Sequence, residues 1–449
     1  MAGEIAGRPH WEIGFDEQGR AAQGEVEALL AELPGKDLTD LLVFSHGWNN
    51  DRGQARRLYE RYFEQVPGQL AQGAGQGLAL REPPPSTGSL GVVWPSKRWA
   101  DEPEPTGDAD GGGAAGLGDA AAPAAVAGDG ALVEDLKDVF KGSDRRRALD
   151  ELARLLEERP EDPAALARFQ ELMGQLAGAA DAGPAGEDQG EVALVSDDPE
   201  KVFGRFADAV PRAGEGGAAG LGDTFGRLWN GAKEALRQLT YFEMKKRAGV
   251  VGKQGLGPLL GRVHQADPEL RIHLIGHSFG ARLVSFALAG LPDGPGGSPV
   301  KSLYLLQGAF SHFAFADALP MDRSRGGALK GMAARVDGPL LVSFSVHDTA
   351  VGKLYPLASM TSRDDAAGLE DQLFRWGGMG HDGAQAVDAA TADLGPVGSG
   401  YPFQAGRFVN LVGNAVVTAG PPPSGAHSDI FHPELVWAGL AAAGLVGGA

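Results

Sequence analysis

No cysteine occurs among the 449 residues of this chain. That absence excludes disulfides, a thiol nucleophile and thiolate metal sites, and it is compatible with a reducing cytosol. Long apolar runs are missing too. No stretch approaches the roughly 20 residues that span a bilayer. The start, Met1-Ala-Gly-Glu-Ile-Ala-Gly-Arg8, lacks the apolar core of a secretory leader. The expectation is a cytoplasmic protein with no transmembrane segment. Positive charge is scarce: 40 Lys and Arg stand against 59 Asp and Glu, a net charge of −19. Such a chain is a poor partner for a phosphate backbone, so nucleic-acid binding is not expected. There is no H-E-x-x-H, no EF-hand loop and no Walker A sequence. Gly73-Ala-Gly-Gln-Gly77 lacks the strand-before, helix-after setting of a dinucleotide loop. Neither a metal nor another cofactor is expected.

The acidity is local. Residues 101–223 hold 28 acidic and 11 basic side chains, a net of −17, and the remainder holds 31 and 29, a net of −2. The chain therefore divides into a first core part at 10–100, an acidic Ala/Gly-rich insertion at 101–223, and a second core part at 224–449. Within the insertion, 101–131 and 179–199 have too few large apolar side chains to offset their ordering entropy, and poor order is expected there. Between them, Leu149, Leu152, Leu155 and Leu156, then Leu166–Leu176, predict a helical hairpin broken at Pro160 and Pro163. This insertion is a possible lid or protein-interaction surface. The basic run Lys245-Lys246-Arg247 reads as a solvated helix face.

Outside the insertion, short apolar runs alternate with helical spacing. Strands are predicted at His10–Phe15, Asp40–Ser45, Leu90–Trp94, Ile272–Ile275, Val300–Leu306, Leu340–Val346 and Phe408–Val417. Helices fit Ala21–Leu33, Arg52–Gln65 and Phe225–Val250. This alternation predicts a parallel α/β sheet.

One stretch concentrates the chemistry. Arg271-Ile-His-Leu-Ile-Gly-His-Ser-Phe-Gly-Ala-Arg282 reads as strand, sharp turn and helix, with Gly276-His277-Ser278-Phe279-Gly280 at the turn. Ser278 is the only serine flanked by glycine at both −2 and +2. A G-x-S-x-G in that setting presents the serine on a strained elbow above the sheet. A serine hydroxyl is a weak nucleophile and needs a base, which in turn needs orienting. Asp348, after the predicted strand Leu340–Val346, is the candidate acid, with Asp317 as the rival. His427, after Phe408–Val417, is the candidate base, with His381 and His432 as rivals. His277 is expected to point away from the base, His347 to pack beside the acid, and His273 to sit in the core. An oxyanion would need two preorganised N–H donors. Phe279 follows the nucleophile, and Trp48 follows His46-Gly47 after the strand ending at Ser45. Trp48 could equally form a plain pocket wall.

Taken together, the His46-Gly47 loop, the Gly276–Gly280 elbow, Asp348 and His427 resemble the α/β-hydrolase superfamily, in particular its lipase/esterase-like serine hydrolases. Ser45-His-Gly-Trp-Asn-Asn-Asp51 looks like a largely uncharacterised bacterial branch of it. The resemblance covers about residues 10–100 and 224–447. It implies a mostly parallel, about eight-stranded sheet flanked by helices. It also implies cofactor-free cleavage of a small-molecule or lipid-like acyl substrate: a carboxylic ester, a thioester or a lipid. An amidase or peptidase on the same triad, and an idle hydrolase fold that binds proteins, are the alternatives. The lid of that superfamily usually follows the strand after the elbow helix; here the large insertion precedes the elbow, and Ala309–Asp337 occupies the usual place.

Overall fold

The computed structural model describes residues 3–78, 85–96, 133–134, 136–137, 139–177, 194–209, 224–293, 297–354, 376–420 and 425–447. Among these described residues, nine strands form one sheet: β1 Gly3–Ile5, β2 Arg8–Gly14, β3 Asp40–Ser45, β4 Thr87–Val93, β5 Arg271–His277, β6 Val300–Leu306, β7 Leu340–Phe344, β8 Ala389–Asp393 and β9 Phe408–Val412. Their order is β1-β2-β4-β3-β5-β6-β7-β9-β8. Only β1 runs antiparallel to its neighbour; every other pairing is parallel. The central strands are covered on both faces, which is why β3 and β5 read as unbroken apolar runs rather than alternating ones.

The chain leaves β3 towards β4 on one side and returns to β5 on the other. Strand order therefore reverses between β3 and β5. The crevice at their carboxyl ends is where open α/β sheets place ligands.

Two strands had no sequence signal. β1 is only three residues long. β8, Ala-Ala-Thr-Ala-Asp, is a half-exposed edge strand and has no apolar face to betray it. Both lie at the margins of the sheet and bring the seven strands read from the sequence to nine, against the about eight implied by the resemblance. β7 and β9 also end earlier than expected. Val346 N–H turns out to the Asn414 side chain at 3.0 Å, and Val417 N–H folds back onto the Gly413 carbonyl at 2.8 Å.

Helices cover both faces. On one side, Arg52–Phe63 and Pro433–Ala442 bury Tyr59, Tyr62 and Trp437 against Phe44, Tyr304 and Leu341. Arg52–Phe63 starts at a capping box, in which Asp51 and Gln54 bond each other's backbone N–H groups at 2.8 and 3.0 Å. On the other side lies the elbow helix, Phe279–Gly290, crossed by a long helix. That helix runs Thr224–Val250, widens into a π turn at Val251–Leu256, and continues as Gly257–Ala266. Its amino-terminal half packs against two helices of the acidic segment, Pro163–Ala177 and Pro199–Ala209, around the edge-to-face rings of Phe169, Phe203 and Trp229, and a third, Ser143–Glu158, packs on Pro163–Ala177. These helices share one continuous apolar core with the sheet.

Three expectations need comment here. Residues 101–131 and 179–193 lie outside the described residues. Leu194, within the second stretch expected to be poorly ordered, is instead buried, and Gln170 bonds its carbonyl and that of Asp197. Lys245 and Arg247 are likewise buried rather than solvated. Arg247 donates to the carbonyls of Pro95 at 2.9 Å and Val139 at 3.3 Å, tying the long helix to two other segments, and its charge faces Glu17 and Glu243, each at 3.5 Å.

The long helix and the elbow helix touch backbone to backbone. A Cβ on Gly252 would stand 2.1 Å from the Leu283 carbonyl oxygen, whereas one on Gly249, a turn earlier, would meet nothing closer than 3.5 Å. Gly252→Ala is therefore expected to destabilise the fold by about 1–3 kcal/mol through overpacking. Gly249→Ala is expected to be neutral or to stabilise by up to about 1 kcal/mol, as alanine replaces glycine inside a helix. Urea unfolding of the two variants checks this; equal midpoints would refute the close crossing.

Candidate active site

Three of the residues singled out in sequence meet above the carboxyl ends of three strands. Ser278 follows β5, Asp348 follows β7 and His427 follows β9. Ser278 Oγ lies 2.9 Å from His427 Nε2, and His427 Nδ1 lies 2.8 Å from Asp348 Oδ2. All three are buried. A carboxylate only accepts, so the proton sits on Nδ1, and Nε2 is left to accept from the serine hydroxyl. The second carboxylate oxygen of Asp348 accepts the Val351 N–H at 2.9 Å, which leaves the acid no freedom to turn.

Ser278 has φ 56° and ψ −122°. A side-chain-bearing residue in that region stores about 1–3 kcal/mol of strain and persists only where its surroundings fix it. Here Ser278 N–H donates to Leu306 at 3.1 Å, and its carbonyl accepts from Ala281 at 3.1 Å and Ala309 at 3.2 Å. The flanking glycines are required by space. A Cβ on Gly276 would lie 2.4 Å from the Gly280 carbonyl, and one on Gly280 would lie 2.0 Å from that of Ser45.

The loop after β3 lies against this elbow. A Cβ on Gly47 would fall 2.7 Å from that of Ser278. His46 is buried and held neutral, its pKa pushed down to about 4 mainly by burial. Its ring stacks on Trp94, with centroids 5.6 Å apart and planes 10° apart. Trp94 N–H donates to its Nε2 at 3.3 Å, so Nδ1 carries the proton and donates to the Gly47 carbonyl at 2.8 Å. Asn50 Nδ2 donates to the carbonyls of Gly47 at 3.3 Å and Trp48 at 2.9 Å. A trans peptide points its C=O and N–H in opposite directions. Fixing the Gly47 carbonyl therefore also fixes the direction of the Trp48 N–H. Phe279 N–H belongs to the first residue of the elbow helix, where amide protons have no intrahelical partner. The rings of Trp48, Phe279 and Tyr241 from the long helix pack together, with centroids 4.9 to 6.1 Å apart.

The other candidates are placed elsewhere. Asp317 is exposed on the segment after β6. His381 sits on the short helix Met379–Asp382, its ring against Gly352. His432 starts the terminal helix and bonds Asp429 at 2.7 Å. His273 is in the core, between Ser302 Oγ and Asp40 Oδ1, each at 2.9 Å. Two expectations fail. His347 is exposed, because only its backbone serves the site: its carbonyl accepts the Ala426 N–H at 2.9 Å. His277 does not point away from the base. Its Nε2 lies 2.9 Å from the His427 carbonyl, and the two rings are 5.0 Å apart. Asn50, Trp94 and Asp429 were not anticipated. Only Asn50 had a visible signal, as a turn residue between the His-Gly pair and a capped helix.

Among the described residues, no group of three His, Asp or Glu side chains could hold a metal ion, and no helix is long and apolar enough to cross a membrane. No protein-family model, curated protein or solved structure matches the chain.

Asp429 latches the loop that carries His427. Its Oδ2 accepts the N–H groups of Thr418 and Ala419, each at 2.9 Å, and its Oδ1 bonds His432. Burial opposes the Asp429 charge, but the bonds from His432 and the two amides outweigh it and hold its pKa below the ordinary 3.8. The bond to Asp429 raises that of His432 above the ordinary 6.5, against partial burial. A raised histidine stabilises fully below its unfolded pKa and is lost as pH rises through the folded one; a depressed carboxylate stabilises above its unfolded pKa and is lost as pH falls. The pair therefore contributes fully between pH 3.8 and 6.5. The melting-temperature gap between wild type and His432→Ala is expected to be widest in that window and to narrow towards alkaline pH. Calorimetry across pH checks it; a gap constant into the alkaline range would refute the ionic contribution.

Proposed function

We propose that the protein is a serine hydrolase of the α/β-hydrolase type, cleaving an ester-type bond through an acyl-serine intermediate. The observation that carries this reading is the unbroken chain Ser278 Oγ–His427 Nε2 at 2.9 Å and His427 Nδ1–Asp348 Oδ2 at 2.8 Å, with the serine on a left-handed elbow. A nucleophile bonded to a base that is itself oriented by a carboxylate is the arrangement acyl transfer requires.

Ser278 Oγ attacks the acyl carbon and its proton passes to His427 Nε2. Asp348 stabilises the imidazolium and keeps it in one orientation. The tetrahedral oxyanion is met by the N–H groups of Phe279 and Trp48, the latter aimed by His46 and Asn50 through the Gly47 carbonyl. The intermediate collapses, the bond to the leaving oxygen or sulfur breaks, and His427 returns the proton to that atom. Water then attacks the acyl-serine; its proton goes to His427, and Ser278 Oγ leaves and is reprotonated. The acid is released. A small-molecule or lipid-like acyl compound is the substrate class.

A fluorophosphonate probe is expected to label the wild type and not Ser278→Ala, with kcat on p-nitrophenyl esters falling by about 10⁵- to 10⁶-fold in that variant. Asp348→Asn is expected to lower kcat about 10⁴-fold by allowing the wrong tautomer. Anilides run beside the esters separate amide from ester preference. An unlabelled wild type would sink the proposal. Asn50→Ala is expected to lower kcat by up to about 100-fold with little change in KM, because it frees the peptide that carries an oxyanion donor; a wild-type kcat in that variant would remove Asn50 from the site.

A further inference from the structure

We propose that His277 is a positioning residue for the base, holding His427 by its own peptide carbonyl while Ser278 holds it by its ring; this rests on the hydrolase reading above. The two contacts come from adjacent residues of one strand end. His277 Nε2 lies 2.9 Å from the His427 carbonyl oxygen, and Ser278 Oγ lies 2.9 Å from His427 Nε2. A carbonyl only accepts, so the proton of His277 is on Nε2. The two bonds and the short stretches of chain between them close a ring made of three residues. That ring fixes the backbone of the base residue, and with it the point from which its imidazole reaches the serine. A base held in this way is oriented from both of its ends, the far end of the ring being fixed by Asp348.

The other nitrogen of His277 supports the assignment. Nδ1 is buried and has no hydrogen-bond partner among the described residues. It lies beside the loop after β3, 3.2 Å from where a Cβ on Gly47 would stand. A buried polar atom left unpaired costs free energy and calls for an explanation. The explanation here is that the opposite nitrogen is the donor, to the His427 carbonyl, and no donor among the described residues reaches Nδ1. Burial, then the neighbouring His427, push the pKa of His277 down to about 3, so the side chain stays neutral across the working range. A neutral neighbour matters: a charged ring 5.0 Å from His427 would oppose the imidazolium that forms there.

The base loop has other ties, among them the bonds of Asp429 to the Thr418 and Ala419 amides. Gly425 pairs with Asp348, and Ala426 N–H bonds the His347 carbonyl at 2.9 Å. Both fix the loop to the acid; His277 fixes the backbone of the base residue to the strand end that carries Ser278.

The test uses His277→Gln and His277→Leu in the full-length protein. Glutamine places a donor N–H the same number of bonds from the backbone; leucine fills space without donating. His277→Leu is expected to lower kcat and the rate of fluorophosphonate labelling by about 100-fold, as misplacement of a reacting group does, with KM little changed. His277→Gln is expected to recover to within about tenfold of wild type. The low-field proton resonance of His427 Nδ1–H, shared with Asp348, is expected to persist in His277→Gln and to shift or broaden in His277→Leu. A folded His277→Leu with wild-type kcat and an unshifted resonance would overturn the proposal, as would equal losses in both variants. If His277→Leu fails to fold, His277→Asn, whose amide is too short to reach the carbonyl, is expected to show the same loss. An unlabelled wild type would refute the hydrolase reading alone, and the resonance would still decide the role of His277.

Discussion

Everything at the candidate site depends on how closely the loop after β3 approaches the elbow after β5. Gly280 meets the carbonyl of Ser45 with no room for a methyl group, and Gly47 meets the β-carbon of Ser278 in the same way. Those contacts bring two strand ends together at the point where the order of the sheet reverses. They also account for the strained backbone of Ser278. The elbow cannot relax, because its carbonyl, its amide and both of its flanking residues are already engaged.

Around that contact, polar groups act on the backbone as much as on side chains. His46 and Asn50 hold the Gly47 carbonyl, Asp429 holds two amides in the segment after β9, and His277 holds the carbonyl of His427. Buried histidines that are kept neutral suit this work. They donate from one nitrogen without bringing a charge into an apolar surrounding. Two of the three histidines at the centre serve in this manner, and the third is left as the one ring that can exchange a proton with Ser278.

The sequence was most legible where chemistry demands a rare pattern. Gly276–Gly280 stands out because the turn needs glycine on both sides, and Asp348 and His427 stand out because each follows a predicted strand, in that order after the serine. The parallel sheet followed from strands too apolar to have a wet face. What escaped was of a different kind. β8 is an alanine-rich edge strand with no periodic apolar face, and Lys245 and Arg247 look like surface residues in any local window. Their burial comes from segments far away in the chain, such as the carbonyl of Pro95. The hydrogen bond from His277 was hidden for the same reason: 150 residues separate it from its partner, and no spacing rule reaches that far.

The crossing of the long helix and the elbow helix has a consequence for how such a sequence can drift. Its closest contacts are between backbones, at Gly252 against Leu283 and at Gly290 against Lys253. Where side chains meet, one can shrink as another grows. Where backbones meet, no such exchange exists, so a change at either glycine has to be answered by moving a whole helix. A distant relative of this chain would thus be recognised by glycines kept 24 residues before and 14 residues after the first glycine of its elbow, even where every apolar residue around them had been replaced.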